Sequence, residues 1–270
     1  MSSTPAVVLG RARVVAVTAW VCGAVLVLAQ ISYSMTDPGA RFGTTVASVV
    51  AFALASLCDA AARSGPRAAL RLALVAGGGG LLAEAVGVHT GFPFGEYRYT
   101  GTLGPQLLGV PVLVPLAWIM MCWPALLVGR ALAAGRARWA VVVVGAWALA
   151  SWDVFLDPQM VDAGHWVWTR PEPVLPGVVG VPLTNYAGWF AVALVMVGLL
   201  HRWTPPDSSP LDFCAGPAPA LYLWTYGSSV WAHAAFFGRP SVSLVAGVLM
   251  GLVAVPFAVV LLRVLVRGRR

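Results

Sequence analysis

The sequence predicts an all-α, polytopic membrane bundle of about eight transmembrane helices, with both termini in the cytoplasm. Three observations carry that expectation. First, 59% of the 270 residues are hydrophobic and only 10% are charged, whereas a soluble domain carries about a quarter charged residues. The mean hydropathy is +0.83. Second, a bilayer crossing takes about 20 apolar residues, and such stretches fall near 14–35, 42–62, 67–88, 108–129, 139–157, 183–201, 218–238 and 241–266. Third, all 17 basic residues are arginines, and an eight-segment topology divides them 13 to 4 between the two sides. The positive-inside rule then assigns the richer side to the cytoplasm. No stretch alternates like a barrel strand, so helices must satisfy the backbone within lipid. Short connections predict a single transmembrane domain over 1–270, a multi-pass protein of the plasma membrane. The net charge of +7 is spread over helix ends, so it reads as a topology signal and nucleic acid is not an expected partner.

Taken in order, the first segment follows Arg11 and Arg13. It is too long for a typical signal-peptide core and lacks a small-residue cleavage site, which predicts an uncleaved helix. The second ends in Asp59 and Arg63, four residues apart, a spacing that predicts an ion pair within one helix. The third holds four consecutive glycines, Gly77 to Gly80. In a membrane such a run permits close helix packing, or offers a flat wall to a long ligand. One turn later comes Glu84, which has no basic neighbour on its own helix, and then His89.

The connection at 89–107 and the later one at 158–182 are the two long ones, both on the arginine-poor side and both rich in Gly, Pro, Trp and Tyr. Each leads into a similar phrase, "LLGVPVLVPLAW" at 107–118 and "VVGVPLTNYAGW" at 178–189. These are either a weak duplication or two alike helix starts with proline in the first turn. The fifth segment ends in Asp153 and Asp157, on one helical face. There "LDP" at 156–158 reads either as part of a site or as a plain helix stop. The sixth opens with Asn185 and carries Trp189 one turn on, and the seventh bears a stripe of Tyr222, Tyr226, Ser229 and His233. The eighth leads into the arginine tail of Arg263, Arg267, Arg269 and Arg270. Cys22, Cys58, Cys122 and Cys214 lie far apart with no C-x-x-C pair, so neither a disulfide nor a metal site is predicted.

Ionisable groups inside a membrane cost about 2.5–3.5 kcal/mol each on insertion scales and need a partner or a purpose. The topology raises Glu84, Asp153, Asp157, His89, Asn185 and His233 to one end, beneath the two long loops with Glu96 and His165. A shared site at that end is the expectation.

The phrases "EAVGVHTGFPFGEYRYTGTLGPQLLGVP", "PLAWIMM", "DVFLDPQMVDAGHWVW" and "GVPLTNYAGW" closely resemble the carotenoid biosynthesis membrane-protein family of bacteria and archaea. That family includes the carotenoid 1,2-hydratases, among them γ-carotene 1′-hydratase and bisanhydrobacterioruberin hydratase. The resemblance runs over about residues 80–190. It departs at Val178 and Val179, where the family pattern leads one to expect an aromatic residue, and it brings no catalytic assignment with it. It implies addition of water to the terminal double bond of an acyclic carotenoid, giving a tertiary alcohol. That chemistry needs a strong acid, a stabilised cation and water, and no dinucleotide or phosphate-loop fingerprint is present. No cofactor is therefore expected. A carboxyl kept neutral by an apolar setting is the natural acid, and aromatic faces stabilise the cation. Glu84 or the Asp153/Asp157 pair is the expected donor, with His89, Glu96 and His165 orienting water or relaying protons. Tyr97, Trp118, Trp152, Trp166, Trp168, Asn185, Trp189, Tyr226 and His233 are the expected substrate contacts. The expected partners are a membrane-embedded carotenoid, water, the bilayer and other carotenoid biosynthesis enzymes. Two rivals are a membrane prenyltransferase acting on carotenoid ends, which would use the aspartates of "DVFLD", and a carotenoid-binding or transport protein without catalysis.

Overall fold

The computed structural model describes residues 5–205 and 211–267. Its order is α1 (Pro5–Met35), α2 (Arg41–Ser64), α3 (Pro66–Leu72), α4 (Gly79–Thr90), β1 (Tyr97–Tyr99), β2 (Gln106–Leu107), β3 (Val110–Pro111), α5 (Leu113–Leu132), α6 (Arg138–Asp162), β4 (Trp166–Trp168), β5 (Val174–Leu175), β6 (Val178–Pro182), α7 (Leu183–Trp203), α8 (Ala218–Ala235) and α9 (Pro240–Arg267). A π-helical turn, Ala73–Gly78, joins α3 and α4 into one rod, Pro66–Thr90. The chain is an all-α polytopic membrane bundle. Among the described residues seven helices are long and apolar enough to cross a membrane. The expected seventh segment, 218–238, is helical as α8 but is not among the seven. Its 18 residues mix Tyr, Trp, Thr, Ser and His with the apolar ones. Of the arginines counted toward the cytoplasmic side, Arg269 and Arg270 lie outside the described residues.

α5 and α6 form the centre, where Trp118, Trp123, Met121, Leu126, Leu127 and Phe155 are almost wholly buried. Glycine lets these helices meet backbone to backbone. A Cβ on Gly129 would stand 2.5 Å from the Val141 carbonyl, and one on Gly145 3.1 Å from that of Ala125. Outer helices expose rows of Val and Leu, such as Leu244, Val248, Leu252 and Val255 on α9, as a lipid-facing surface requires.

At the arginine-rich end, Asp59 and Arg63 pair at 2.5 Å as expected, both side chains buried. The same carboxylate accepts Trp123 Nε1 at 2.8 Å and the Ala218 amide at 2.9 Å, while Arg63 donates to the carbonyls of Asp212 and Gly216. The pair therefore ties the start of α8 to α2 and α5.

Two boundaries differ from expectation. α5 begins at Leu113 rather than 108, because β2 and β3 form a tight hairpin there with Leu108 (φ 53°) and Gly109 (φ 79°) at its turn. Positive φ at both central residues matches the twist of a two-residue hairpin. α6 runs through Pro158 to Asp162, so "LDP" does not stop the helix. Proline removes one backbone bond there, and burial among neighbouring helices makes that tolerable.

Candidate active site

The two long loops meet at the end opposite the Asp59–Arg63 pair. β1 and β4 form an antiparallel ribbon in the register Tyr97↔Trp168, Arg98↔Val167, Tyr99↔Trp166. Alternate residues of a strand point to opposite faces. Tyr97, Trp166 and Trp168 are buried and Tyr99 half-buried, while Arg98 and Val167 are exposed. The ribbon is thus a roof with four aromatic side chains beneath it.

Glu84 lies under this roof, 4% exposed. Its Oε2 accepts Tyr97 Oη at 2.5 Å and Tyr99 Oη at 2.9 Å, and its Oε1 accepts Trp118 Nε1 at 3.2 Å. Glycine makes room for two of these donors. A Cβ on Gly80, one turn before Glu84, would stand 2.6 Å from the Trp118 ring, and one on Gly87 would stand 2.8 Å from Tyr97 Oη. The glycine run is therefore a packing device: Gly77 similarly admits Ile119, whose Cδ1 would lie 2.8 Å from an added Cβ. Burial first, and then the Glu84 charge, push both tyrosine hydroxyls well above the usual phenol range. Both remain neutral O–H donors.

Asp153 and Asp157, also buried, share one amide. Asn185 Nδ2 lies 2.9 Å from Asp153 Oδ2 and also donates to Asp157 Oδ2. Trp166 Nε1 donates to Asp157 Oδ1 at 3.1 Å. Asp153 Oδ1 and Tyr186 Oη are buried with no hydrogen-bond partner among the described residues. Ion pairs elsewhere join Glu96 to Arg170 and Asp162 to Arg239. No arginine bonds to any of the three buried site carboxyls among the described residues.

An indole layer lies beside the carboxyls. Trp118 stacks on Trp189 at 3.8 Å and 11°, and Trp152 meets Trp189 edge-on at 6.2 Å. In the roof, Tyr97 lies 5.6 Å from both Trp168 and Tyr99, and Tyr99 lies 5.7 Å from Trp166. Glu84, Asp153, Asp157, Tyr97, Trp118, Trp152, Trp166, Trp168, Asn185 and Trp189 therefore converge in one region.

Five expected residues stand apart from it. His89 is exposed, its Nδ1 bonded to the Ala85 carbonyl at 2.7 Å. Glu96 is exposed and 3.9 Å from Arg170. His165 bonds Thr102 Oγ1 at 2.7 Å, and its half-buried setting holds its pKa below the ordinary imidazole value. Tyr226 donates to the Gly247 carbonyl on α9, and His233 packs between Phe155 and Phe237. Tyr99 and Tyr186 were not among the expected residues. The alternation in "YRY" carried the signal for Tyr99, once Tyr97 is taken to point inward. Tyr186 had none beyond its place next to Asn185.

Fold and site together define a polytopic membrane protein with a buried site of carboxyls and aromatic rings at one end. The chain belongs to the carotenoid biosynthesis protein family, whose model matches residues 42–254. It is 38% identical over 117 residues to the bisanhydrobacterioruberin hydratase of Haloarcula japonica, a stretch that is 42% of this chain and 38% of that protein. The match thus spans less than half the length of this curated relative. No solved structure matches the chain.

Proposed function

We propose that this protein is a hydratase that adds water across the terminal double bond of an acyclic carotenoid end group, without a cofactor. The observation that carries this is the site itself: three buried carboxyls without a cationic partner among the described residues, set against stacked indoles and closed by a tyrosine-bearing roof. The name and 38% identity of the archaeal relative support the choice of substrate class.

The surroundings divide the carboxyls by role. Glu84 accepts three donors, and its 2.5 Å contact with Tyr97 falls in the range of charge-assisted O–H···O⁻ bonds. That setting suits a permanent anion. Asp153 and Asp157 crowd one amide and form no ion pair among the described residues, a setting that favours two carboxylates sharing one proton. The pair is therefore the donor, acting through Asp153 Oδ1, the carboxyl oxygen not engaged by other side chains. Its proton passes to the less substituted alkene carbon, leaving a tertiary cation on the other. The face of an indole, and the negative charge of Glu84, stabilise that cation. Water attacks it, positioned by Tyr186 Oη, and loses a proton back to the aspartate pair. The net change is one water added and one tertiary alcohol formed, with no electron gained or lost.

On this reading the ribbon end faces away from the cytoplasm at the plasma membrane. The test is expression in a bacterium that makes lycopene or γ-carotene. The expected result is a more polar pigment, heavier by one water, with its visible spectrum unchanged. A pigment that gains a five-carbon unit would point to prenyl transfer. Unchanged pigment from well-accumulated protein would point to binding alone.

A further inference from the structure

A second feature lies on the other side of α6 from the aspartates. A cavity of about 580 Å³ opens among α1, α2, α6 and α8, within the span of about 300–1,000 Å³ usual for ligand sites. Its walls come from residues 30–35 of α1, 45–52 of α2, 152–160 of α6 and 223–232 of α8, with Met120 of α5 and with Phe236 and Phe237 just past the end of α8. α1 and α8 both line it. They touch at Gly23, where an added Cβ would lie 3.3 Å from Pro217, and are pinned by Trp224 Nε1 donating to Gln30 Oε1 at 2.7 Å. Further along, Tyr33 and Phe237 lie 5.9 Å apart beneath the Arg41 guanidinium, which is 4.9 Å from the Tyr33 ring.

Several of the residues that line the cavity are exposed. Ile31, Met35, Trp231 and Phe236 line it and are 46%, 80%, 65% and 51% exposed. These four exposed side chains are apolar, as a flank facing lipid requires. The inner wall is Trp152, Phe155 and Leu156 on α6, with Gln159 one turn beyond. Trp152 is common to both places. It lines the cavity and also packs edge-on against Trp189 of the indole layer, and its chain neighbour is Asp153.

We infer that this cavity holds the hydrocarbon chain of the isoprenoid substrate, admitted sideways from the bilayer between α1 and α8, with Trp152 as the partition between chain and reacting end. The inference rests on the hydratase reading for its substrate. A headgroup or a nucleotide would need a charged wall. This one has no charged residue among those that line it: it is aromatic and aliphatic, interrupted by neutral hydroxyls and two glutamine amides.

Gly227 gives a direct test, because it lines the cavity and an added Cβ there would meet nothing within 4 Å. Gly227→Phe would fill the space from α8 without a clash at the backbone. Leu252→Phe, at a lipid-facing position of α9 that is 61% exposed, is the control. Each variant and the parent protein are purified from a lycopene-making bacterium, and pigment per protein and pigment mass are measured. Gly227→Phe is expected to retain at least about tenfold less pigment than Leu252→Phe, with hydrated product falling in step. Equal pigment in the two variants, or none on the parent protein, overturns the cavity as the chain site. If the parent still makes hydrated pigment in the first of those cases, the hydratase reading stands alone. Pigment bound at unchanged mass, and lost in Gly227→Phe, keeps the cavity and removes the hydratase reading. Should Gly227→Phe fail to accumulate, Ser48→Leu narrows the same space from α2 and carries the same expectation.

Discussion

Glu84, Asp153 and Asp157 are alike in burial but differ in their donors. Two hydroxyls and an indole N–H converge on Glu84, while the two aspartates share one amide and Asp157 alone takes an indole N–H besides. Asp153→Asn and Asp157→Asn keep shape and hydrogen bonding but remove the transferable proton. Each is expected to cut product per molecule by about 10²–10⁴-fold, the usual worth of general acid catalysis, while protein amount holds. Tyr99→Phe removes one donor from Glu84 and leaves the ring in place. A hydrogen bond to a charged group is worth about 1.5–3 kcal/mol, so turnover by this variant is expected to fall at least tenfold in the same pigment assay. At this scale the sequence was informative wherever burial of a charge is costly. Glu84 stood out because no basic residue neighbours it on its helix, and Asp153 and Asp157 because their spacing puts them on one face. The separation of His89, Glu96 and His165 from the carboxyls was not legible. Whether a polar side chain at a helix end turns inward depends on the path of the loop beyond it.

The glycines of the Pro66–Thr90 rod show how an element can be shaped around its neighbours. Gly80→Ala would set a methyl 2.6 Å from the Trp118 ring, and overpacking of this kind costs about 1–3 kcal/mol. A lower thermal midpoint of the purified protein, and weaker turnover as Trp118 is displaced from Glu84, are the expected outcomes. Gly78→Ala, two residues away, meets open space and gains helix propensity of about 1 kcal/mol at most, so its midpoint should hold or rise. The helices themselves were legible, because a crossing needs a long apolar run and leaves little else for such a run to be. The roof was not. Its strands are three residues long and pair Tyr97 with Trp168, too short for a periodic signal and too far apart for a turn signal. The early start given to α5 has the same origin. "LLGVP" is as apolar as a helix, and only the positive φ of Leu108 and Gly109 makes it a hairpin.

Across the whole molecule, the pairing of β1 with β4 puts both long loops at one end, and the Asp59–Arg63 cluster sits at the other. Single cysteines at the exposed positions Thr102 and Glu172, in a cysteine-free background, should both react with an impermeant thiol reagent in intact cells. Labelling of both only after lysis would invert the topology. Asp59→Asn should reduce protein amount far more than activity per molecule, since removing one partner of a buried ion pair costs about 3–5 kcal/mol and the pair lies far from the roof. The central claim joins both scales, a proton from the aspartates and an oxygen from water meeting at one buried site. Its most direct test is turnover of an acyclic carotenoid by the purified protein in heavy water enriched in oxygen-18. The expected product carries one carbon-bound deuterium next to a tertiary alcohol whose oxygen is labelled, and Asp153→Asn and Asp157→Asn lose both labels together. A hydroxylated product without carbon-bound deuterium, or full labelling by both aspartate variants, would contradict it.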